Sequence, residues 1–345
     1  MSLSVSVLIK ALNEGAHIRD CLASVLPEVL ALGGEAILVD SCSSDDTVAI
    51  ARTFPVRIVQ FRDCHDRGCA AAVQLGYQHA RAPFVYVMDG DMQLQPGFLA
   101  QALARIQADS TLAGVGGQVV DRAVRTLTDA RRQRRQRWVG ESAGAVDVSS
   151  LGGGGLYRRD AIVSSGYLAH RGLPANEEAE LGARLLAGGW RLLRLPTPAV
   201  LHDGHMESNL AMMRRLWRGR RFQSSGMFLR SAWRKPWFAR SLKSQRHVFY
   251  APVLDLGLWG MAWVLSHAGL VSPGPAWLIA IVLVMSGLRW KTGSWQAALW
   301  SLVAWHLFAL GALVGVCRPV ADPLEPITVV VLKEWPEQAA TETAP

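Results

Sequence analysis

The sequence predicts an α/β domain of alternating strands and helices, followed by helices that enter a membrane, and three observations carry that expectation. Between residues 3 and 91, short β-rich runs alternate with stretches of helical period three times. The apolar run Phe84-Val85-Tyr86-Val87 ends in Met88-Asp89-Gly90-Asp91, which puts two carboxylates at the carboxyl end of a buried strand, where open α/β sheets bind ligands. Half of the 345 residues are hydrophobic, but the excess lies after residue 248. There the chain holds three long apolar segments, and every tryptophan lies from Trp138 onward, many beside those segments.

Each element follows from local pattern. Residues 3–9 form a short β-rich run. Asn13 then opens a helical stretch through Leu26, with Ile18, Cys21, Leu22, Val25 and Leu26 on one face. Ala36-Ile37-Leu38-Val39 is the next strand, ending in Asp40 and a turn-rich run to Asp46. A helix over 46–53 leads to a strand over 56–60. Residues 69–81 read as a helix and 84–88 as a strand. Right-handed crossovers place the strand ends on one edge, so Asp40 and Asp89 are expected to line one crevice. Further on come the glycine-rich stretch Leu151–Gly155, a helix carrying Glu177, Glu178 and Arg184, a strand near 190–195, and Val200-Leu201-His202. The α/β domain is expected to span 1–205, with a basic segment over 206–247, a membrane region over 248–317 and a tail over 318–345.

Asp89 and Asp91 repel each other unless a cation sits between them, and a hard ion with oxygen ligands, Mg²⁺ or Mn²⁺ carried with a diphosphate, is the natural occupant. An ordinary Asp-Gly turn is the alternative. The net charge is +8, which raises nucleic acid as a partner. Between Arg214 and Arg246, however, eleven Lys or Arg and no acidic residue interleave with Trp217, Phe222, Trp233, Trp237 and Phe238, immediately before an apolar segment. An anionic membrane surface is the better partner, and nucleic acid is not expected. The arginines of 125–137 read as a solvated helical face or a contact to anionic groups. The five cysteines include no CxxC pair, so zinc is not expected and reduced thiols are. No signal peptide precedes the first strand, which places the α/β half in the cytoplasm.

The apolar segments 249–271, 273–288 and 295–317 are expected to cross the membrane, the second being marginal in length. Arg289 and Lys291 flank the second loop and the tail is acidic. Three crossings would therefore put the α/β half inside and the C-terminus outside. Asp255 falls within the first segment, near its cytoplasmic end, where hydration or contact with a lipid substrate accounts for it.

Several ordered motifs within residues 3–205 resemble the family 2 glycosyltransferases. Val5–Glu14 (VSVLIKALNE) is similar to the family's first strand and donor loop, with Lys10 where proline is usual. Ile37–Thr47 (ILVDSCSSDDT) is similar to its second strand, whose nucleotide-contacting aspartate falls on Asp40. Arg67-Gly68 with Ala72, Gln74, Gly76 and Ala80 resembles a family helix, with Gln74 in place of asparagine. Asp89-Gly90-Asp91 falls on the D-x-D site, and Gln95–Leu99 on the start of the helix after it. Glu177-Glu178-x-x-Leu181-x-x-Arg184 falls on E-D-x-x-L-x-x-R.

The resemblance implies a GT-A nucleotide-sugar-binding mixed sheet with helices on both faces. It also implies donor contacts at Ala11, Glu14, Asp40, Arg67, Gly68, Asp89 and Gly90, and a divalent metal at Asp89 and Asp91, with His205 ahead of His202 as a third ligand. Acceptor contacts are implied at Gly153, Gly154 and Glu177. Glu178 is the candidate general base for an inverting transfer, with Glu180 as fallback, and Asp91 offsets charge on the leaving diphosphate through the metal. Asp40 is alternatively a helix cap, and Glu178 alternatively a carboxylate favoured by the helix dipole. The expected function is transfer of a sugar from a nucleotide-diphosphate sugar to a lipid-linked or envelope-polysaccharide acceptor, or to a polyprenyl phosphate. A nucleotidyltransferase and a non-catalytic scaffold are the rivals. The first would carry a lysine-containing glycine loop after the first strand, which Ala11–Gly15 is not.

Overall fold

The computed structural model describes residues 3–122, 144–203 and 208–336. The chain divides into two compact units, residues 1–206 with 320–345, and residues 207–319.

The first unit is built on a ten-stranded mixed sheet. Its parallel part consists of β1 (Val5–Ala11), β2 (Glu35–Asp40), β3 (Arg57–Phe61) and β4 (Phe84–Asp89), in the order β3-β2-β1-β4. These strands read as near-continuous apolar runs because both faces are covered. The covering helices are α1 (Ile18–Ala31), α2 (Thr47–Arg52) and α3 (Cys69–His79). The first helix starts later than the sequence suggests and runs on through Pro27, because its inward face extends to Val29, which is fully buried. At the carboxyl edge β1 lies between its neighbours, so Ala11 pairs with Asp40 and Lys10 with Asp89. The expected crevice is therefore present.

The second part of the sheet comprises β5 (Met92–Leu94), β6 (Leu112–Asp121), β7 (Val146–Asp147), β8 (Gly155–Arg158) and β9 (Arg191–His202). The accompanying helices are α4 (Phe98–Ala108), α5 (Arg159–Ser165) and α6 (Glu177–Ala187). Strand β8 runs antiparallel between β4 and β6. The expected strand at 190–195 and the run 200–202 are one strand, β9, whose pairing to β6 shifts register near Gln118. That long parallel pairing sets Asp121 beside His202.

Part of the tail belongs to the sheet. Val329–Lys333 forms β10, antiparallel to β3 at the sheet edge. Lys333 donates to the carbonyls of Arg52 and Phe54 at 2.7 and 2.6 Å, Glu334 pairs with Arg57 at 3.0 Å, and Leu332 and Trp335 pack on the core. A covered edge is a protected edge. It does not fit the expected external C-terminus: a chain that leaves the sheet after His202 and rejoins it at Val329 would pass through a bilayer an even number of times. Reporters fused at the N-terminus and after Pro345 are expected to lie on the same side of the membrane. Opposite sides would mean that β10 is not in the sheet.

The second unit holds α7 (Asn209–Arg218), α8 (Arg221–Ser231), α9 (Phe238–Ser244), α10 (Tyr250–His267), α11 (Pro273–Thr292) and α12 (Trp295–Cys317). The last three are long and apolar enough to cross a membrane. Helix α8 packs closely on α12, where Gly226 lies against the carbonyl of Ala312, Gly311 against Phe222 and Gly315 against Gln223. Small residues permit that approach, as in membrane helix pairs. Asp255 is not left to hydration alone, because His306 Nε2 on α12 stands 3.3 Å from its Oδ1.

Candidate active site

The site is assembled from five strand ends and one helix start. Asp89, Gly90 and Asp91 turn the chain from β4 into β5, and the turn is clamped to the loop after β1. The Gly90 N–H donates to the Lys10 carbonyl at 2.9 Å. A Cβ at Gly90 would lie 3.2 Å from both Ala11 Cβ and Glu14 Cγ, a tight fit that would push those side chains by a few tenths of an ångström. Ala11, Glu14, Asp89 and Gly90 are thus brought together as expected.

Glu14 faces the acidic pair. Burial, followed by the charges of Asp91 and Asp89, pushes its pKa up to about 8. On the far side of Asp91, His202 Nε2 lies 3.3 Å from Asp91 Oδ2, and its Nδ1 lies 2.7 Å from Asp121 Oδ1. A carboxylate on Nδ1 fixes the ring so that Nε2 points to the acidic pair. His202 is therefore the histidine the structure sets beside Asp91. His205 and the 125–137 arginines lie outside the described residues. The donor set of carboxylates and imidazole fits a hard divalent cation, and the mutual repulsion felt at Glu14 is what such an ion relieves. Among the described residues no three such groups already converge on one point.

Asp40 is fully buried at the end of β2. Its Oδ2 accepts from the Ser43 N–H at 3.0 Å and from Gln60 Nε2 at 2.7 Å, while Oδ1 has no partner among the described residues. Asp40 does not cap α2, whose N-cap is Asp46. A buried, half-satisfied carboxylate at a sheet edge is poised to accept from a ligand. Gly68 opens α3, and Arg67 before it is exposed.

The loops after β2 and β3 are joined covalently. Cys42 and Cys64 form a disulfide with Cα atoms 5.9 Å apart, which corrects the expectation of reduced thiols throughout. The pairing was hidden because adjacency of β2 and β3, not spacing in sequence, brings the two loops together. Cys21, Cys69 and Cys317 are free.

The candidate base sits at the start of α6. The Gly153 N–H donates to Glu178 Oε1 at 2.8 Å, and a Cβ on Gly152 would lie 3.4 Å from its Oε2. Gly152, Gly153 and Gly154 have φ of +44°, +65° and +95°, a run that favours glycine. The loop therefore wraps the carboxylate of Glu178. Burial raises the pKa of Glu178, Glu177 beside it raises it further, and Lys10 and the Gly153 N–H draw it part of the way back. Lys10 joins the two ends of the site, with its Nζ 3.0 Å from Asp89 Oδ1 and 3.2 Å from Glu177 Oε1.

Glu180 is tied up in a buried ion pair. Its side chain is 1% exposed, and it is held at 2.8 and 2.9 Å by the guanidinium of Arg184 and at 2.7 Å by the Tyr167 hydroxyl. Arg184 in turn donates to the carbonyls of Ser165 and Tyr167. This pair fixes α6 to the chain before it. Replacing Glu180 by Ala leaves a buried guanidinium uncompensated and is expected to cost about 3–5 kcal/mol, read as a lower midpoint in urea unfolding. Gln74, which stands at the asparagine position, accepts from the N–H groups of Leu168 and Ala169 at 3.1 and 3.0 Å and anchors the same loop to α3.

Comparison with known proteins agrees with this geometry. The family described as "Glycosyl transferase family 2" matches residues 6–159. An uncharacterized glycosyltransferase of Mycobacterium tuberculosis is 28% identical over 202 residues, covering 56% of this chain and 83% of its own. A dolichol-phosphate mannosyltransferase of Pyrococcus furiosus is 26% identical over 122 residues, 34% of each chain. Among solved structures, a mannosyltransferase of Pyrobaculum calidifontis in complex with GDP-Man and Mn²⁺ superposes with a TM-score of 0.62 at 20% identity, over 92% of this chain and 87% of that one. Residues 1–349 of S. aureus TarS give 0.52 at 15% identity, over 91% and 92%. Sheet order and strand-end carboxylates agree with the comparisons: residues 6–159 match the family 2 glycosyltransferases, and the fold is that of the GT-A neighbours.

Proposed function

We propose that this glycosyltransferase is membrane-associated, metal-dependent and inverting, and moves a sugar from a nucleotide-diphosphate donor to a lipid-linked or envelope-polysaccharide acceptor at the cytoplasmic face. One observation carries the reading. The carboxylate at the donor end, Asp89, and the one beside the base, Glu177, are held by a single ammonium group, that of Lys10. A reacting sugar thus has a leaving-group side and an attacking side within one cleft.

Each residue has a distinct task. Asp40 accepts a hydrogen bond from the base or ribose through its unpartnered Oδ1. Arg67, exposed just before Gly68, supplies a charge-assisted hydrogen bond to the diphosphate. Asp91, Asp89 and His202 are the residues that would hold Mg²⁺ or Mn²⁺, which when bound offsets the charge growing on the leaving diphosphate. Glu178 accepts the proton of the acceptor hydroxyl at its carboxylate as that oxygen attacks the anomeric carbon. Its raised pKa makes it a stronger base than an ordinary glutamate. Glu177, Gly153 and Gly154 border the acceptor's approach.

The three long apolar helices and the basic, tryptophan-containing segment before them support a membrane-borne acceptor. The stretch similar to a dolichol-phosphate mannosyltransferase favours polyprenyl phosphate as a second reading of that acceptor. The test is a donor screen with the purified full chain in detergent, using GDP- and UDP-sugars with and without Mn²⁺. Release of nucleoside diphosphate that chelator abolishes supports the proposal. Release of inorganic pyrophosphate from a nucleoside triphosphate and a sugar phosphate would instead indicate nucleotidyl transfer.

A further inference from the structure

Two loops at the donor end are tied by a bond that sugar transfer itself does not use. Cys42 lies two residues after Asp40, and Cys64 three residues before Arg67. Their disulfide therefore joins the turn that orients the first to the segment that leads into the second. The turn after β2 is closely laced to the loop after β1. The Ser43 N–H donates to Asp40, and Ser43 Oγ accepts from the Asn13 N–H at 2.9 Å. Asp45 Oδ2 accepts from the Gly15 N–H and Thr47 Oγ1 from the Glu14 N–H, both at 2.8 Å. Within this turn Cys42 has a φ of +60°, a conformation that is costly for a residue with a side chain and is kept only where its surroundings impose it. The cross-link is one such constraint. Cys64 is exposed and Cys42 half-buried, whereas the free Cys21 is buried, so a thiol in solution can reach the bond at the Cys64 end. At the cytoplasmic face proposed for this domain it meets thiol reductants, and the disulfides found there in ordinary organisms are mostly redox-sensing or catalytic.

We propose that Cys42 and Cys64 form a reversible oxidation site, opened by a dithiol reductant, and that opening it weakens binding of the donor's nucleotide. One thiolate of the reductant attacks the Cys64 sulfur, the S–S bond breaks, and Cys42 leaves as a thiolate. The second thiol of the reductant then displaces Cys64, and the reductant departs as its own disulfide. Two electrons pass to the protein, and the two protons of the dithiol end on Cys42 and Cys64. Without the bond, Cys42 can leave its left-handed conformation and the Cys64 segment can move away from the turn. Asp40, with its open Oδ1, and Arg67 are then no longer held at a fixed separation, and the donor must order them as it binds. Glu178 is held by the Gly153 N–H, not by this bond, so turnover of bound donor is untouched.

This inference rests on the donor roles proposed for Asp40 and Arg67, and the experiment separates the two. The full chain in detergent is left oxidised or treated with dithiothreitol, which is removed before assay because its thiolates bind metal. Thiols counted in denaturant should rise from the three free cysteines to all five. With GDP-mannose or UDP-glucose and Mn²⁺, reduction should raise the donor KM by about fivefold or more, the effect of having to order one or two side chains on binding, with kcat unchanged. Reoxidation should restore the lower KM. The double variant Cys42→Ser, Cys64→Ser should show the higher KM whether or not dithiol is added, and the wild-type comparison stands even if that variant fails to fold. The rise in melting temperature with GDP or UDP and Mn²⁺ should shrink on reduction, a readout that needs no transfer. A thiol count that cannot be moved between three and five, equal KM in the two states, a KM that reoxidation does not restore, or a double variant that still responds to dithiol overturns the oxidation site and leaves sugar transfer standing. Nucleotide stabilisation that shrinks on reduction in a protein releasing no nucleoside diphosphate would keep the site and overturn transfer. A wild type that neither releases nor binds nucleotide overturns both.

Discussion

Glu178→Gln is expected to abolish most of the turnover and to make the protein more stable. The amide keeps the acceptor oxygen for the Gly153 N–H, which lies 2.8 Å from Oε1, so the loop should hold its shape. What is lost is the basic site for the acceptor proton, worth about 10²–10⁴-fold in kcat. Donor binding should be unaffected, because no donor group depends on the charge of Glu178. The gain in stability follows from linkage. Burial and the neighbouring Glu177 raise the folded-state pKa of Glu178 above its unfolded value. At pH above both values the group is ionised in both states, but the charge costs more in the folded one, and the amide removes that cost. The melting temperature of Glu178→Gln at pH 7 should exceed that of wild type, and the gap should close as the pH falls through the raised pKa. The same shift sets the acid limb of the wild-type kcat/KM profile above the ordinary carboxylate range, since only the ionised base is active. A variant that melts at the wild-type temperature and keeps wild-type turnover would remove Glu178 from the chemistry.

Asp91→Asn is expected to give the second-largest loss, about 100-fold or more in kcat/KM, together with loss of metal binding. Asp91 is 8% exposed, faces His202 and raises the pKa of Glu14, so it is the central charge of the cluster. Metal binding can be read without turnover. A ligand that binds only the folded state at 100 times its Kd stabilises it by about 2.7 kcal/mol, so Mn²⁺ should raise the wild-type melting temperature and leave Asp91→Asn unmoved. Asp121→Asn should weaken Mn²⁺ less, because it acts through the orientation of His202 alone. Equal Mn²⁺ stabilisation of wild type and Asp91→Asn would place the cation elsewhere.

What the sequence made legible was whatever local pattern encodes. The alternation of strands and helices encodes β1 to β4, and the rule that strand ends share an edge puts Asp40 and Asp89 in one crevice. The contacts that were missed all join residues far apart in the chain. Asp121 meets His202 only because β6 and β9 pair in parallel over a long register, and the sole local hint is an aspartate closing an apolar strand. Lys10 stood out as a departure from proline, but its bridge depends on β1 lying beside β4 and on α6 starting above both. Glu178 and Glu180 are equivalent by composition. Only the bidentate hold of Arg184 on Glu180 and the Gly153 N–H on Glu178 tell the two apart. The tail was misjudged for a related reason. Val329–Lys333 is a short apolar strand after the membrane segments, and charge counting reads only which side a loop prefers, not that a strand edge more than 250 residues upstream is waiting for it.

The most direct test of the account is the anomeric configuration of the product, read by NMR coupling constants after transfer from an α-linked donor such as GDP-mannose or UDP-glucose. A single displacement, with the acceptor oxygen deprotonated at Glu178 and the diphosphate leaving from the opposite face near Asp89 and Asp91, gives a β-linked product. An α-linked product would mean retention, and with it a reaction in which Glu178 is not the base for direct attack.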